Sequence, residues 1–428
     1  MQAAFLLILI GVGLLSGAAI AYVIGAASII TFIMGGQANF MAALPQRLFS
    51  QLDVFAFLAM PLFIFAGDLM NRGGIASALI DFSMSLLGRV KGGLGHVNIL
   101  TSVFFAGVSG SAVSDAAALG NSLVPEMQKR GYSLDYAVAI TGASSIIGPI
   151  IPPSSILIFY GALMNTSVAA LFAAGVIPGL LLAAVLMVMN AFYAWRDDHP
   201  GGGDQTDMPP IGKSFLRALP AMTLPVIILG GTLFGVMTPA EAAAVAVAAA
   251  LIIGFAYRKL DGEAVRQSAI RTADLLGALF IILCAISTFS YIAALDRLPQ
   301  AIAAQITALG LGPLQYLMLV NVVFLIAGMA MDVKAAVALF APIFVPVALA
   351  MGIDPVHLGI VICFNISTGL LSPPIGGVLL ILATTCNINY WRLIRATLPF
   401  FFAEVALLIV LTFFPAISLA LPHALGLS

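Results

Sequence analysis

Two stretches of an otherwise apolar chain gather the oxygen-bearing residues that hold a hard cation. In the first, FFAGVSGSAVSDAAALG (Phe104 to Gly120), the hydroxyls of Ser109, Ser111 and Ser114 cluster beside Gly107 and Gly110. Its counterpart is GPIIPPSS (Gly148 to Ser155), where tandem prolines remove backbone donors and force the preceding residue out of helical geometry. Bare carbonyls at a broken helix, joined by hydroxyls, are ligands for a small cation such as sodium. Ser109, Ser111, Gly148, Ile151 and Pro153 therefore form one candidate sodium site. Close helix packing also accounts for the glycines and serines, but it leaves the facing proline break without a purpose.

The second stretch, IAGMAMDVKAA (Ile326 to Ala336), stands against STGLLSPP (Ser367 to Pro374). Asp332 is an acid at the centre of an apolar hairpin, and an intramembrane carboxylate is costly enough to be a functional hypothesis by default. Gly328, Asp332, Thr368, Gly369, Ser372 and Pro373 make up a second candidate sodium site, with fewer hydroxyls than the first. A purely structural pair between Asp332 and Lys334 is the competing reading. Helices starting at the breaks, near Ser154 and Gly376, would point positive dipole ends at an anionic substrate, with Lys334 adding a formal charge.

The elements that hold these residues follow from a repeat. Ala106-Gly107, Val124-Pro125, Gly131, Gly148, Pro152-Pro153 and Pro178 recur, shifted by 221 residues, as Ala327-Gly328, Val345-Pro346, Gly352, Gly369, Pro373-Pro374 and Pro399. Paired Gly/Pro interruptions in two apolar halves point to a transporter's binding site. The chain has 428 residues, 62% of them apolar and 8% charged, and a mean hydropathy of +1.13. Ordinary soluble domains carry about a quarter charged residues. This is an all-α polytopic membrane protein for a lipid bilayer. Its net charge of −1 gives no reason to expect nucleic acid.

Spans are expected near 2 to 15, 18 to 36, 53 to 70, 134 to 166 and 171 to 195, mirrored near 219 to 236, 239 to 257, 273 to 293, 355 to 385 and 397 to 420. The spans at 134 to 166 and 355 to 385 are broken. Blocks at about 97 to 128 and 316 to 350 read as re-entrant hairpins with arms too short to cross. Non-helical backbone at membrane depth survives only where protein or a water-filled cavity satisfies it. The first repeat thus covers 1–195, a polar linker rich in Gly, Pro and Asp covers 196–218, and the second repeat covers 219–428. The start of the chain reads as a first span, not a cleaved signal.

Five spans per half is an odd number, which inverts the second repeat relative to the first. With the N-terminus outside, 14 of the 17 lysines and arginines fall on the cytoplasmic side, all but Arg47, Arg297 and Lys334. The positive-inside rule supports that orientation, with both termini periplasmic. Amphipathic segments at 74 to 91 and 296 to 311 read as interfacial arms.

Other reactive residues carry less. Cys284, Cys363 and Cys386 sit in apolar sequence without metal-binding or disulfide spacing. Asp68 and Asp274 lie near span ends, Asp115 is placed to cap the returning hairpin helix, and Glu404 sits inside the last span. Glu241 follows Thr238 and Pro239 in a helix-start pattern. Gly107-Val108-Ser109-Gly110 matches the GxSG of intramembrane serine proteases. A protease also needs a partner histidine on another span, and His96 and His357 lie near span boundaries. Gly212-Lys213-Ser214 resembles the end of a phosphate-binding loop, but Asp207 stands where the motif needs glycine. No cofactor is expected, and a channel would want a continuous polar stripe that these spans lack.

With these motifs in place, the chain resembles the large membrane subunit of tripartite ATP-independent periplasmic (TRAP) transporters, of the dicarboxylate-transporter M type. The likeness covers nearly the whole length. It is carried by PLFIFAGDLMNRGG (Pro61 to Gly74), FFAGVSGSAVSDAAALG, IPPSSILIFYG (Ile151 to Gly161), LFAAGVIPGLL (Leu171 to Leu181), MTPAEAAAVA (Met237 to Ala246) and LLSPPIGGVL (Leu370 to Leu379). The resemblance implies a sodium-coupled, elevator-type secondary transporter of the bacterial inner membrane, with a transport domain of hairpins and broken helices moving against a scaffold. It implies a small four-helix membrane subunit and a periplasmic substrate-binding protein as partners. The expected cargo is an organic acid such as a C4-dicarboxylate or sialic acid. By motif position the sodium sites fall on Ser109/Ser111 with Gly148 to Pro153, and on Gly328 to Asp332 with Thr368 to Pro373. A standalone sodium:anion symporter of related architecture is the alternative.

Overall fold

The computed structural model describes residues 9–13, 17–36, 38–52, 55–200 and 208–427. Helices account for most of them, and no strand occurs among the described residues. In chain order they are α1 (Ile20–Met34), α2 (Leu44–Leu52), α3 (Ala59–Arg72), α4 (Ile75–Leu87), α5 (Gly93–Ser109), α6 (Ala112–Lys129), α7 (Leu134–Ser145), α8 (Ser155–Met164), α9 (Val168–Arg196) and α10 (Ile211–Leu233). They continue as α11 (Pro239–Ala256), α12 (Gly262–Leu295), α13 (Leu298–Ala308), α14 (Pro313–Ala330), α15 (Val333–Ala350), α16 (Pro355–Gly369), α17 (Gly377–Thr385), α18 (Tyr390–Phe413) and α19 (Ala416–Ala424). Seven described helices are long and apolar enough to cross a membrane. Most of the expected first span, near 2 to 15, and residues 201–207 of the linker lie outside the described residues.

The 221-residue offset is visible in the elements. α6 and α15 begin and end 221 residues apart, at 112 and 333 and at 129 and 350. Both Pro152-Pro153 and Pro373-Pro374 are cis. After each hairpin the chain reverses through a glycine with positive φ, 91° at Gly131 and 81° at Gly352, a conformation costly to residues with a Cβ. In each half an asparagine on the entering arm ties the hairpin to its broken helix. Asn98 donates to Thr141 Oγ1 at 2.6 Å and accepts from Ser144 at 2.9 Å. Asn365, the offset equivalent of Ser144, donates to Asn321 O at 2.8 Å and Asn321 Oδ1 at 3.0 Å. Such bonds satisfy polar groups that would be costly to leave bare in an apolar interior.

Two groups of helices emerge from the packing. α1, α3, α11 and α12 lie against one another, while the hairpins α5–α6 and α14–α15 pack with α7, α8, α9, α16, α17 and α18. α4, the expected arm at 74 to 91, touches both α5 and α10, and α13, the arm at 296 to 311, lies on α15.

The structure departs from expectation at four places. α10 begins at Ile211, inside the expected linker, because Pro210 is well placed to precede a helix start and the charged Lys213 and Arg217 lie on exposed positions. The short helices α2 and α19 carry no span-length apolar run, so hydropathy alone passes over them. The arms α14 and α15 are 18 residues each and meet the length of a span. What sets the depth of that hairpin is contact. Its tip residue Gly328 lies against the backbone of Ile366, in the last turn of α16 just before the break.

Candidate functional site

At the first tip, α5 ends at Ser109, Gly110 turns with φ +57°, and α6 starts after Ser111. The tip rests on the break between α7 and α8. A Cβ at Gly110 would meet Pro153 O and the backbone of Ser154 and Ser155, so only glycine fits there. Ser155 Oγ donates to Gly110 O at 3.2 Å, latching break to tip. Ser109 Oγ donates to Asp115 Oδ1 and accepts from Ser111 N–H at 3.2 Å.

Asp115 is the residue that changes this site. It is 0% exposed, and its second oxygen, Oδ2, has no hydrogen-bond partner among the described residues. That oxygen lies where a Cβ of residue 148 would stand, so Gly148 is small to admit a carboxylate. Ser111, in extended conformation, occupies the cap position expected of Asp115, and Ser114 turns to the exposed side. The carbonyls of Gly148, Ile151 and Pro153 are buried and accept no hydrogen bond from any described residue. The structure thus sets Asp115, bonded to Ser109, against Gly148, and the Gly110 turn against Pro153, with Ser111 at the rim, while Ile151 packs on Gly179 of α9. Three bare carbonyls, a hydroxyl and an orphaned carboxylate oxygen suit a small hard cation.

The second tip is built differently. Gly328 and Gly369 touch backbone to backbone, and Ile375 N–H donates to Met329 O at 3.2 Å. Thr368, Gly369 and Ser372 are buried here, with Pro373 half-buried. Gly369 O already accepts from Ser372 N–H at 3.1 Å and from its hydroxyl at 2.9 Å. Thr368 Oγ1 has no partner among the described residues.

Asp332 is not the buried acid that the sequence suggests. It is exposed, and its Oδ1 accepts from Lys334 N–H at 2.9 Å as the cap of α15. The connection to Lys334 thus runs through the backbone, and the Lys334 side chain is half-buried. A helix-initiating acid satisfies exposed amide groups at a two-residue link, which sequence position alone does not separate from a deep carboxylate. The helix α18, which packs on α16, carries a buried acid, Glu404, 0% exposed, with the Thr368 hydroxyl as a side-chain neighbour.

Ser154 and Gly376 are the cap residues of α8 and α17, as their place after the breaks implies, and the Ser154 hydroxyl accepts from Leu157 N–H at 3.3 Å. Among the other sequence candidates, Thr238 and Glu241 form a reciprocal capping box. His357 is buried with Nδ1 at 2.8 Å from Ser418 Oγ. Asp68 pairs with Arg72 and Arg271 at the exposed edge. His96 lies on the same helix as Ser109, thirteen residues and about 20 Å away by helical rise, so the two form no hydrolytic pair. Gly212 to Ser214 lie in the first turn of α10, not in a loop.

Asp115 was within reach of the sequence, since an acid beside hydroxyls in an apolar hairpin carries the argument that pointed to Asp332. Glu404 offered no local motif.

The chain is 37% identical over 388 residues to the C4-dicarboxylate TRAP transporter large permease protein DctM of Pseudomonas aeruginosa, covering 89% of this chain and 90% of that one. It is 37% identical over 389 residues to the sialic acid TRAP transporter large permease protein SiaM of Vibrio cholerae, covering 90% of each. In fold it is similar to the YdaH transporter of Alcanivorax borkumensis, with a TM-score of 0.67, 14% identity and 89% of both chains covered. With the model of the tripartite ATP-independent periplasmic transporter, DctM component, matching residues 7–417, the chain belongs to that family.

Proposed function

We propose that this chain is the large permease subunit of a sodium-coupled importer of an organic acid anion, a C4-dicarboxylate, a sialic acid or a related acid, working by an elevator movement in the bacterial inner membrane. The observation that carries the reading is the first tip. Buried carbonyls of Gly148, Ile151 and Pro153 without hydrogen bonds, beside Ser109 and an orphaned Asp115 oxygen, fit a sodium ion. Gly328, Thr368, Gly369, Ser372 and Pro373 would form a second site, with Asp332 left to its capping role.

Sodium, when bound, would supply positive charge that offsets the anionic substrate near the midplane. The N-termini of α8 and α17 add positive dipole ends on the same side of each break. The group containing both hairpins would then slide against α1, α3, α11 and α12, with α4 and α13 as connecting arms. Both relatives are named as permease proteins of TRAP transporters, so a separate small membrane subunit and a periplasmic binding protein are the partners proposed here. The termini are proposed to be periplasmic.

The test is uptake of radiolabelled organic acid into proteoliposomes that hold the permease and its small subunit, with the binding protein outside. Uptake is expected only under an inward sodium gradient. Equal uptake with potassium in place of sodium would refute the coupling.

A further inference from the structure

We propose that Glu404 supplies the negative charge of the second cation site and acts on it through the Thr368 hydroxyl. This rests on the sodium reading above and extends it to a residue outside both tips. Glu404 lies on α18, which packs against α16 and α7. Both carboxyl oxygens and Thr368 Oγ1 are fully enclosed, and none of the three completes a hydrogen bond among the described residues. Three enclosed oxygens without a completed hydrogen bond, on two helices that pack together beside a break, are a costly arrangement unless something positive completes them.

No cationic side chain among the described residues does so. On α7 the charged group is Asp135, which pairs with Arg392, twelve residues and about 18 Å before Glu404 along α18. On α16 the ring of His357 is bonded to Ser418, and His357 stands eleven residues and about 16 Å before Thr368. α9, α14 and α17 also pack on α18 and carry no charged side chain except Arg196 at the end of α9, which pairs with Asp197, and the break lies at the end of α16. Thr368 is the residue before Gly369, whose backbone touches the Gly328 tip. A threonine hydroxyl has one proton and two lone pairs. Donating that proton to Glu404 turns the lone pairs toward the break, where a sodium ion accepts them.

The first half supports this by contrast. There the buried carboxylate is Asp115, on the hairpin, and its offset equivalent in the second half is Ala336; the equivalent of Glu404 in the first half is Ala183. Each half thus carries one buried acid at its break, contributed by a different element. With Asp332 exposed, Glu404 is the carboxylate within reach of the second break.

The experiment uses the purified permease with its small subunit and reads thermal stabilisation against sodium concentration, a measure that needs no transport. For Glu404→Gln the sodium midpoint is expected to rise at least about tenfold, the equivalent of one hydrogen bond to a charged group. Thr368→Val is expected to raise it similarly, and the double variant no further than either single one. A Glu404→Gln protein that melts lower at every sodium concentration with an unchanged midpoint would overturn the inference and reduce Glu404 to a packing role. Should Glu404→Gln fail to fold, the Thr368→Val midpoint decides in the same way, an unchanged value overturning the inference. Absence of any sodium stabilisation in the unmodified protein would instead refute the sodium reading itself, and this inference with it.

Discussion

The two hairpin tips descend from one repeated pattern yet solve the same problem in opposite ways. At the first, the broken helix leaves three buried carbonyls bare, and the hairpin brings its own carboxylate, Asp115, to them. At the second, the break folds onto itself through Ser372, the tip closes by backbone contact between Gly328 and Gly369, and the proposed acid is Glu404 of α18. The difference teaches that offset conservation of glycines and prolines preserves where the chain opens, while the charge that makes an opening useful can move to another helix. The geometry at the two tips predicts unequal cation affinities, the first tip needing less rearrangement to accept an ion.

The largest break in this comparison is expected from the two aspartates. Asp115→Asn removes the charge that the first tip cannot replace, and sodium-driven uptake is expected to fall about a hundredfold, the loss of a charged buried ligand. Asp332→Asn keeps a side chain able to cap α15 and is expected to retain nearly full uptake. Asp332→Ala should cost about 1 kcal/mol of stability, as a lost N-cap does. Matched uptake and melting measurements on the three variants check this ranking, and a larger uptake loss in Asp332→Asn than in Asp115→Asn would reverse the roles of the acids.

Glycine substitutions sharpen the contrast next. A Cβ at Gly369 meets backbone atoms of Gly328 and Met329, which cannot yield without moving the tip. Gly369→Ala is expected to cost about 1–3 kcal/mol, in the range of overpacking, and to lower the melting temperature. A Cβ at Gly148 meets chiefly the end of the Asp115 side chain, with the backbone oxygen of Ser145 farther off at 3.2 Å. Gly148→Ala should therefore melt close to the unmodified protein while its sodium midpoint rises. Melting curves with and without sodium separate the two outcomes.

How far the sequence reached follows the same division. Gly107, Gly148, Pro152 and their partners 221 residues later declare the hairpins, the breaks and the bare carbonyls, because backbone chemistry is written locally in Gly and Pro. The facing of side chains is not local. Whether Asp115 points at Gly148 depends on the φ of +57° at Gly110, which resets the helix phase between α5 and α6. Whether Glu404 meets Thr368 depends on how α18 rotates against α16. Asp332 stands out by its position in an apolar run, but position along a hairpin does not state depth. α2 was passed over because span-length hydropathy is blind to a nine-residue helix.

Asn98 and Asn321 offer a smaller test, of whether the two hairpins are tied equally. Asn98→Leu removes a side chain that both donates to Thr141 and accepts from Ser144. Asn321→Leu likewise removes two side-chain bonds, one to Thr412 and one from Asn365, which keeps its bond to the residue 321 carbonyl. Each net hydrogen bond is worth about 1 kcal/mol, so chemical melting should show both variants destabilised by about 2 kcal/mol, and a clear difference between them would show the hairpins tied unequally.

The smallest expected effect sits at Ser372, where its sign matters more than its size. The hydroxyl donates to Gly369 O, which orients its own lone pairs away from that carbonyl and leaves them free for a cation. If it is a ligand, Ser372→Ala should raise the sodium midpoint about threefold, a fraction of one neutral hydrogen bond's worth. If the hydroxyl instead stoppers Gly369 O, its removal frees a lone pair and the midpoint falls. A rise keeps the second tip a site with its own ligands. A fall would make it a more closed copy of the first, its Gly369 carbonyl held by the Ser372 N–H and by a hydroxyl that the first half, with Ile151 at the equivalent position, does not have.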